Sequence, residues 1–373
     1  MSVYHWLVIL ILFFAFIMHG GRKGNTAFIV VAAILMFCLL GLRDCKTIGN
    51  DSRTSYLSQF YSDGQKDWED LRDIRDWGRI GSDDSDSGHD RNFGLQWLMK
   101  IVYVVSGGQY QWFIVIAAVI VLVSESVYIQ KYSPSPLQSV LYFLGLLLYM
   151  FHFSATKQSM AMCILLFSFP AIIEKKPIRF VALVVVASFF HFPALVFLPA
   201  YWIGNLRMRN GYLIVLAITF ILAFFFRDSL VNLMTDTYGT ELDTGTHMRF
   251  LANKVLVMLV IIITALIVRP LDPEDRVYNV LMHLTGVAAV IQTFASYNNT
   301  FERLADYYFQ YAVVLIPMIF EEVQTKRKYL NNETLNLVRS YGTVVACAFA
   351  IWRFLAVMIS DGHFYPFRFF FEQ

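Results

Sequence analysis

Charged side chains are scarce in this chain, and that scarcity excludes a water-soluble protein. Aspartate, glutamate, lysine and arginine make up 16% of the 373 residues, and apolar residues make up 57%, whereas an average soluble domain is about one quarter charged. A single water-soluble core has no place for that much apolar surface. Because apolar runs of nearly membrane-spanning length recur along the chain, the sequence predicts a multi-pass membrane protein.

Cysteine and net charge are also low, and each excludes a class of protein. Three of the four cysteines lie inside apolar runs and only Cys45 is expected to be exposed, so we predict no disulfide framework. The net charge of +2 comes from scattered basic residues and is too small to suggest nucleic acid as a partner. Membrane lipid is the surrounding solvent that the composition predicts.

The apolar runs are solid and do not alternate, which favours helices, because backbone groups in lipid must be hydrogen-bonded within the segment. Residues 93–105 and 180–203 are ambiguous, since the first carries Lys100 and the second is interrupted at His191 and Pro193. We predict an all-α transmembrane bundle of about 10–12 hydrophobic segments, forming one integral membrane domain over residues 1–373. The ten clear segments are 3–18, 27–42, 112–129, 137–150, 155–173, 212–226, 251–268, 277–294, 307–320 and 338–359.

Four short loops are basic and predict the orientation, because lysine and arginine in short loops favour the cytoplasmic side. All four lie inside if residues 93–105 do not cross and residues 180–203 enter and return, or cross twice. Both termini and the long loop at residues 43–92 then lie outside. The basic loops are 20–25, 174–179, 205–210 and 321–328.

The long loop contains 20 of the 58 charged residues between positions 43 and 91. We predict a small folded cap or a mobile lid on the extracytoplasmic side. Its acidic run at residues 82–90 offers the oxygen ligands that calcium prefers. The spacing does not match an EF-hand, however, and a solvated loop explains the run better. We therefore predict no metal site and no cofactor.

The first cluster with possible chemistry begins where the second apolar segment ends. Arg43, Asp51 and Arg53 surround a turn signature in which Gly49 permits a positive φ and Asp51 can bond its own backbone. A snorkelling arginine and a helix cap at Asp51 explain the same pattern without a function.

Two further clusters place polar side chains inside apolar segments. The second cluster runs from His152 to Gln158, and its Lys157 stands near the start of residues 155–173. An intramembrane lysine is costly unless it reaches the headgroups or meets an anion. His191 stands beside the predicted break at Pro193, where it is either a structural hydrogen-bond donor or a functional group.

The last two clusters lie in the C-terminal third. Arg303 and Tyr307 are four residues apart and share a helix face. Residues 361–368 are rich in aromatic side chains, as is typical of a membrane interface. None of these clusters is a catalytic signature alone.

Five short motifs follow one another along the chain: Leu42-Arg43 with Gly49-Asn50-Asp51-Ser52 and Tyr56, then Lys157-Gln158, Phe190-His191-Phe192-Pro193-Ala194, Arg303 with Tyr307-Tyr308-Phe309, and Tyr365-Pro366. In this order they resemble the EpsG branch of the Wzy-type polysaccharide polymerases over nearly the whole chain. Asn50, Ser52 and Lys157 replace the family's Thr, Tyr and Arg, and the lysine keeps the charge but loses the bidentate fork. The loop at residues 43–91 is longer and more acidic than the family pattern.

The resemblance implies a glycosyltransferase at the outer face of a bacterial cytoplasmic membrane. It would transfer a glycan from a polyprenyl diphosphate carrier to the non-reducing end of a lipid-linked repeat unit. Such a reaction needs a base for the acceptor hydroxyl and cations for the departing diphosphate. The implied bases are Asp51 and His191. The implied substrate-binding residues are Arg43, Arg53, Tyr56, Lys157, Gln158, Arg249, Arg303 and Tyr307.

Two other functions share the same substrates. A flippase or transporter of lipid-linked oligosaccharide is expected to show pseudo-repeats and charge on both faces, whereas the clusters here fall on one predicted face. An O-antigen ligase-like glycosyltransferase uses the same donor and is harder to exclude. The partners that follow are a polyprenyl diphosphate-linked oligosaccharide and, as candidates, a chain-length regulator and a flippase.

Overall fold

The computed structural model describes residues 1–18, 21–51, 55–72, 92–207, 214, 217–226, 248–269, 272, 274–296, 299–321 and 332–372, without the side chains of 72, 248–253, 296, 299, 300, 332 and 335. The α-helices of this part are α1 (Val3–Ile17), α2 (Gly21–Leu40), α3 (Leu57–Gln65), α4 (Phe93–Ser106), α5 (Tyr110–Tyr132), α6 (Pro136–Gly145), α7 (Leu148–Phe151), α8 (Thr156–Leu166), α9 (Phe169–Ile173), α10 (Pro177–Phe190), α11 (Ala200–Gly204), α12 (Ala217–Phe226), α13 (Met248–Val268), α14 (Arg276–Gln292), α15 (Asn299–Phe309), α16 (Ala312–Phe320) and α17 (Asn332–Ser360).

The prediction of an all-α, multi-pass membrane protein is confirmed. Within the described residues, five helical stretches are long and apolar enough to cross a membrane: Gly21–Leu40, Tyr110–Tyr132, Thr156–Ile173, Arg276–Ala295 and Asn336–Ser360. Six shorter apolar helices accompany them, among them α1 and α4. The helices therefore follow the apolar runs of the sequence.

Some apolar segments are interrupted where the sequence suggested one continuous helix. Residues 137–150 divide into α6 and α7 at Leu147, whose φ is 65°. Residues 307–320 divide between α15 and α16. The predicted break at Pro193 is present, since α10 ends at Phe190 and a 3₁₀ helix follows at Phe192–Phe197. Proline has no amide hydrogen, and its ring clashes with the carbonyl four residues earlier, so an α-helix does not continue through Pro193.

The chain forms two compact units. Unit one comprises Met1–Phe167, Leu183–Phe192 and Val344–Gln373, and unit two comprises Ser168–Ala182 and Pro193–Thr343. In unit one, α2 packs against α1 and α5, and α5 packs against α8. In unit two, α14 packs against α13, α15 and α16.

The described part of the long loop is folded onto unit one. α3 lies on α4, and the Lys100 ammonium of α4 donates to the carbonyls of Gly64 and Lys66 at 2.7 and 2.6 Å. These carbonyls end α3, so the lysine of the apolar helix caps its neighbour. Gly64 permits this approach, because a Cβ atom there would lie 2.3 Å from the Tyr103 ring. The acidic run at residues 82–90 lies outside the described residues.

The expectation that Cys45 is exposed is wrong. Cys45 is buried in an apolar cluster of unit one that joins α3, α4 and α5. The sequence places Cys45 in a polar stretch, but that stretch folds back against aromatic side chains. Its partners in the cluster include Tyr56, Phe60 and Phe113.

Candidate functional site

Arg43 lies just beyond the end of α2 in unit one, and several groups contact its side chain. Its guanidinium donates to the carbonyl of Leu40 and, at 3.0 Å, to the carbonyl of Phe153. The guanidinium carbon also lies 5.0 Å from the centre of the Phe153 ring. Arg43 is only 2% exposed, and burial lowers its pKa to about 10, which leaves it charged at neutral pH.

The C-terminal tail fixes the segment that carries Arg43. The amide of Asp44 donates to the Arg368 carbonyl at 2.9 Å, and the amide of Phe370 donates to the Leu42 carbonyl at 3.1 Å. The Gly49 amide donates to the backbone carbonyl of His363 at 3.0 Å. The tail was predicted to be an aromatic belt, and in the fold its backbone also pairs with residues 42–49. Sequence gave no signal for this pairing.

The first two predicted clusters come together in unit one. The amide of Asn50 donates to the Ser154 hydroxyl at 3.1 Å, so the turn at Gly49 lies against the loop before α8. Gly49 has a φ of 90°, as its turn signature predicts. At the start of α8, the Lys157 amide donates to the Tyr56 hydroxyl at 3.3 Å. This amide is one of the donors that a helix start leaves without an intrahelical partner.

The ammonium of Lys157 belongs to the same cluster. It lies 5.9 Å from the centre of the Tyr56 ring, a distance at which the ring attracts a cation. Lys157 is half-buried, whereas Tyr56 and Gln158 are buried. Lys157 is therefore more accessible than Arg43, which is almost fully enclosed.

His152, which belongs to the second predicted cluster but was assigned no role there, lies beside these residues. His152 is 5% exposed, its Nδ1 lies 2.7 Å from the Ser159 hydroxyl, and burial lowers its pKa to about 3. A small cavity is lined by His152 together with Arg43 and Ser159. The signal available in the sequence was its position, five residues before Lys157, at the end of an apolar run.

The two predicted bases are both half-buried residues of unit one. Asp51 follows the turn at Gly49, and His191 directly follows α10, with its amide donating to the Ala187 carbonyl at 3.1 Å. Arg53 and the side chain of Arg249 lie outside the described residues.

The fourth predicted cluster lies in unit two, on α15. Arg303 is exposed and Tyr307 is fully buried. On the same helix, Asp306 accepts from the Lys254 ammonium at 2.5 Å, and Glu302 accepts from the same ammonium at 3.2 Å. We did not predict this buried ion cluster, although two acidic residues spaced four apart on a helix share a face.

The side chains in unit one suit the binding of an anion beside a carboxylate. Within the part of the chain that the structure describes, no group of three or more potential ligands could hold a metal ion. Arg43 and Lys157 supply positive charge, Tyr56 supplies a hydroxyl, and Asp51 supplies a carboxylate near the same turn. Cations held by protein dipoles bind phosphate groups strongly.

Comparison with known proteins gives one match. The family model described as the EpsG family matches residues 26–369, which is nearly the whole chain and includes all five motifs. No curated protein and no solved structure matches this chain.

Proposed function

We propose that this chain, which belongs to the EpsG family of Wzy-type polysaccharide polymerases, extends a glycan on a polyprenyl diphosphate carrier. Family membership gives it a general role in polysaccharide polymerisation, and its apolar helices make it a multi-pass membrane protein. In the specific reaction that we propose, the glycan leaves one carrier and joins the non-reducing end of a second lipid-linked repeat unit.

The bond changes define what the site must supply. An acceptor hydroxyl oxygen forms a bond to the anomeric carbon of the donor, and the bond from that carbon to the diphosphate breaks. The hydroxyl proton passes to a base, and the diphosphate departs with the bonding electrons. A positioned base and fixed cations lower the barrier to such a transfer.

The observation that carries the proposal is the convergence of Arg43, Tyr56 and Lys157 around the loop before α8. We propose that the half-buried Lys157 contacts the diphosphate. The buried Arg43 contributes positive charge that attracts the diphosphate without direct contact. Asp51 and His191 are the proposed bases. Arg53, Arg249 and Arg303 are further candidates for binding the carrier, with Gln158 and Tyr307 as supporting residues.

We also propose an orientation and a location. The basic short loops favour a site on the outer side of a bacterial cytoplasmic membrane, where lipid-linked repeats would be supplied by a flippase and chain length would be set by a regulator. Reporter fusions at Gly64 and Lys326 should give opposite signals. The same signal at both positions would contradict this topology.

Reconstituted protein tests the reaction directly. Purified wild-type protein in liposomes, supplied with a polyprenyl diphosphate-linked repeat unit, should convert single repeats into a ladder of longer chains. Loss of a positioned base should slow this conversion by about 10²–10⁴-fold, so Asp51→Asn or His191→Ala should leave mostly single repeats. Arg303→Ala should also accumulate single repeats.

Membrane abundance of each variant serves as the control for folding. If both Asp51→Asn and His191→Ala form ladders at the wild-type rate, neither residue is the base. If the wild-type protein instead moves the lipid-linked repeat across the bilayer without extending it, the chain is a transporter. Transfer of the glycan to a different acceptor lipid would favour the ligase-like alternative.

A further inference from the structure

His152 and Ser159 form a buried hydrogen bond, with 2.7 Å between Nδ1 and the hydroxyl oxygen. The Ser159 hydroxyl also lies 3.0 Å from the Ala155 carbonyl, which can only accept. A hydroxyl has one proton, so when it donates to Ala155 its oxygen accepts from Nδ1 of His152. We assign the proton of the imidazole to Nδ1 on this ground.

The loop at residues 152–155 is where the parts of the candidate site are joined. Arg43 donates to the Phe153 carbonyl, and the Asn50 amide donates to the Ser154 hydroxyl. The loop leads directly into the first turn of α8, which carries Lys157. A shift of residues 152–155 would therefore move the partner of Arg43 and the base of Lys157 together.

The bond between His152 and Ser159 closes this loop onto α8. His152 stands at one end of residues 152–155, and Ser159 lies one helical turn beyond Ala155 at the other end. Both residues are buried, so water does not compete strongly for the bond. A neutral imidazole also avoids placing a second positive charge in the cavity that it lines with Arg43.

We propose that His152 is a positioning residue that, bonded through Nδ1 to Ser159, holds residues 152–155 in the geometry in which Arg43 and Lys157 bind the carrier diphosphate. The identity of that ligand rests on the proposed function. The role assigned to His152 is distinct from proton transfer, because it uses Nδ1–H as a donor and requires no change of protonation.

Three variants separate the two nitrogens of the ring. In His152→Asn the side-chain amide can donate from close to the position of Nδ1, whereas in His152→Gln the amide lies near the position of Nε2. Ser159→Ala removes the acceptor and leaves the histidine intact. Ser124→Ala is the matched control, since Ser124 is a buried serine of unit one whose hydroxyl also donates to the carbonyl four residues earlier, at 2.7 Å.

Binding of undecaprenyl diphosphate to the full-length protein in nanodiscs is the main measurement. We expect His152→Gln and Ser159→Ala to weaken binding about tenfold, equivalent to about 1.4 kcal/mol. His152→Asn should recover binding to within about threefold of the wild type, and Ser124→Ala should bind as the wild type does. In polymerisation assays His152→Gln and Ser159→Ala should raise KM more than they lower kcat.

Two outcomes of these assays would overturn the proposal. Equal defects in His152→Asn and His152→Gln would mean that the ring acts through more than the Nδ1 bond, for example as a base. Wild-type binding in Ser159→Ala would show that the bond positions nothing. Should His152→Gln fail to reach the membrane, Ser159→Ala tests the same bond with a smaller change.

A ligand-free measurement separates this proposal from the proposed function. Nitrogen-15 NMR of labelled histidines, with His152→Asn for assignment, should show the Nδ1–H tautomer at His152, and the Nε2–H tautomer would overturn the proposal. Unfolding midpoints of Arg43→Lys, Ser159→Ala and the double variant should be non-additive, because both changes act on one loop. Strict additivity would contradict the proposal. If the Nδ1–H tautomer and the non-additive midpoints are both observed while the wild type fails to bind the diphosphate, the proposed function is wrong.

Discussion

Two buried cations, one in each unit, are stabilised in different ways. In unit one, Arg43 donates to the carbonyls of Leu40 and Phe153 and lies against the ring of Phe153. In unit two, Lys254 is 8% exposed and meets the carboxylates of Glu302 and Asp306.

The difference separates two uses of a buried charge. Carbonyl dipoles and an aromatic face help to solvate the Arg43 guanidinium, and the proposed function uses its charge to attract an anionic ligand. In unit two, the negative charge of Glu302 and Asp306 exceeds the positive charge of Lys254. The ion pairs link α13 to α15 and stabilise their packing. We therefore expect substitutions at Lys254 to reduce stability most, and substitutions at Arg43 and Lys157 to reduce function most.

The largest loss of stability is expected for Lys254→Met. The substitution leaves the buried carboxylate of Asp306 and the half-buried carboxylate of Glu302 on one helix face without their shared cation. Removing one partner of a buried ion pair costs about 3–5 kcal/mol. The unfolding midpoint in detergent measures this loss.

The control for Lys254 neutralises the whole cluster. A triple variant, Lys254→Met with Glu302→Gln and Asp306→Asn, should recover much of the lost stability, because no buried charge remains uncompensated. If Lys254→Met alone unfolds at the wild-type midpoint, the ion cluster contributes little and the contrast with Arg43 disappears.

Arg43→Lys should have the next largest effect, mainly on function. A single ammonium cannot form the fork that joins the Leu40 and Phe153 carbonyls. We expect chain extension to fall about 10–100-fold, which corresponds to about 1.4–2.8 kcal/mol of barrier, with a smaller change in unfolding midpoint. Product ladders and midpoints measured on the same preparation give both quantities.

Arg353→Lys is the matched control for Arg43→Lys. Arg353 also lies in unit one and donates to a backbone carbonyl, that of Gly145, at 2.6 Å. It should lower stability without a specific loss of chain extension. Equal loss of extension in both variants would show that the Arg43 effect is structural.

Changes at Lys157 should be graded by charge. Lys157→Met removes the accessible cation over Tyr56 and should slow extension about tenfold, or about 1.4 kcal/mol. Lys157→Arg keeps the charge and restores the residue of the family motif, so it should extend chains within about threefold of the wild-type rate. Extension rates at saturating donor are the measurement. A wild-type extension rate in Lys157→Met would show that this lysine does not take part in binding the diphosphate.

Tyr56→Phe should give the smallest effect. The ring under the Lys157 ammonium remains, and only the hydroxyl that accepts from the Lys157 amide is lost. A single neutral hydrogen bond contributes about 0.5–1.5 kcal/mol, so a modest fall in the unfolding midpoint is expected. A loss of extension larger than that of Lys157→Met would instead place the hydroxyl in contact with substrate.

The fold was predictable to the extent that composition controls it. Long apolar runs in lipid must become helices, and their positions match α2, α5, α14 and the long final helix α17 closely. The interruption at Leu147 was not predictable, because its left-handed backbone occurs in an unbroken apolar run and carries no glycine or proline. The sequence also left open how many of the shorter helices cross the membrane.

The candidate site was predictable in its residues more than in its connections. Gly49 and Asp51 are typical of a turn, and a lysine in an apolar helix, such as Lys157, indicates a possible functional site. Both clusters could therefore be found in the sequence. His152 was placed in the second cluster without a role, because a functional histidine and a structural histidine look alike in sequence. Its hydrogen bond to Ser159 and its position beside Arg43 are visible only in the fold.

By itself, the sequence determined that this protein is a helical membrane protein, where its longest apolar helices lie, and which of its motifs match the family. These properties depend on local hydrophobicity and on short spacings along the chain. Tertiary structure decided the rest: the tail pairs with residues 42–49, Lys254 joins two carboxylates, and Arg43 is bound to Phe153, 110 residues away. Such contacts depend on which helix faces meet, and that is set by the packing of many apolar side chains at once.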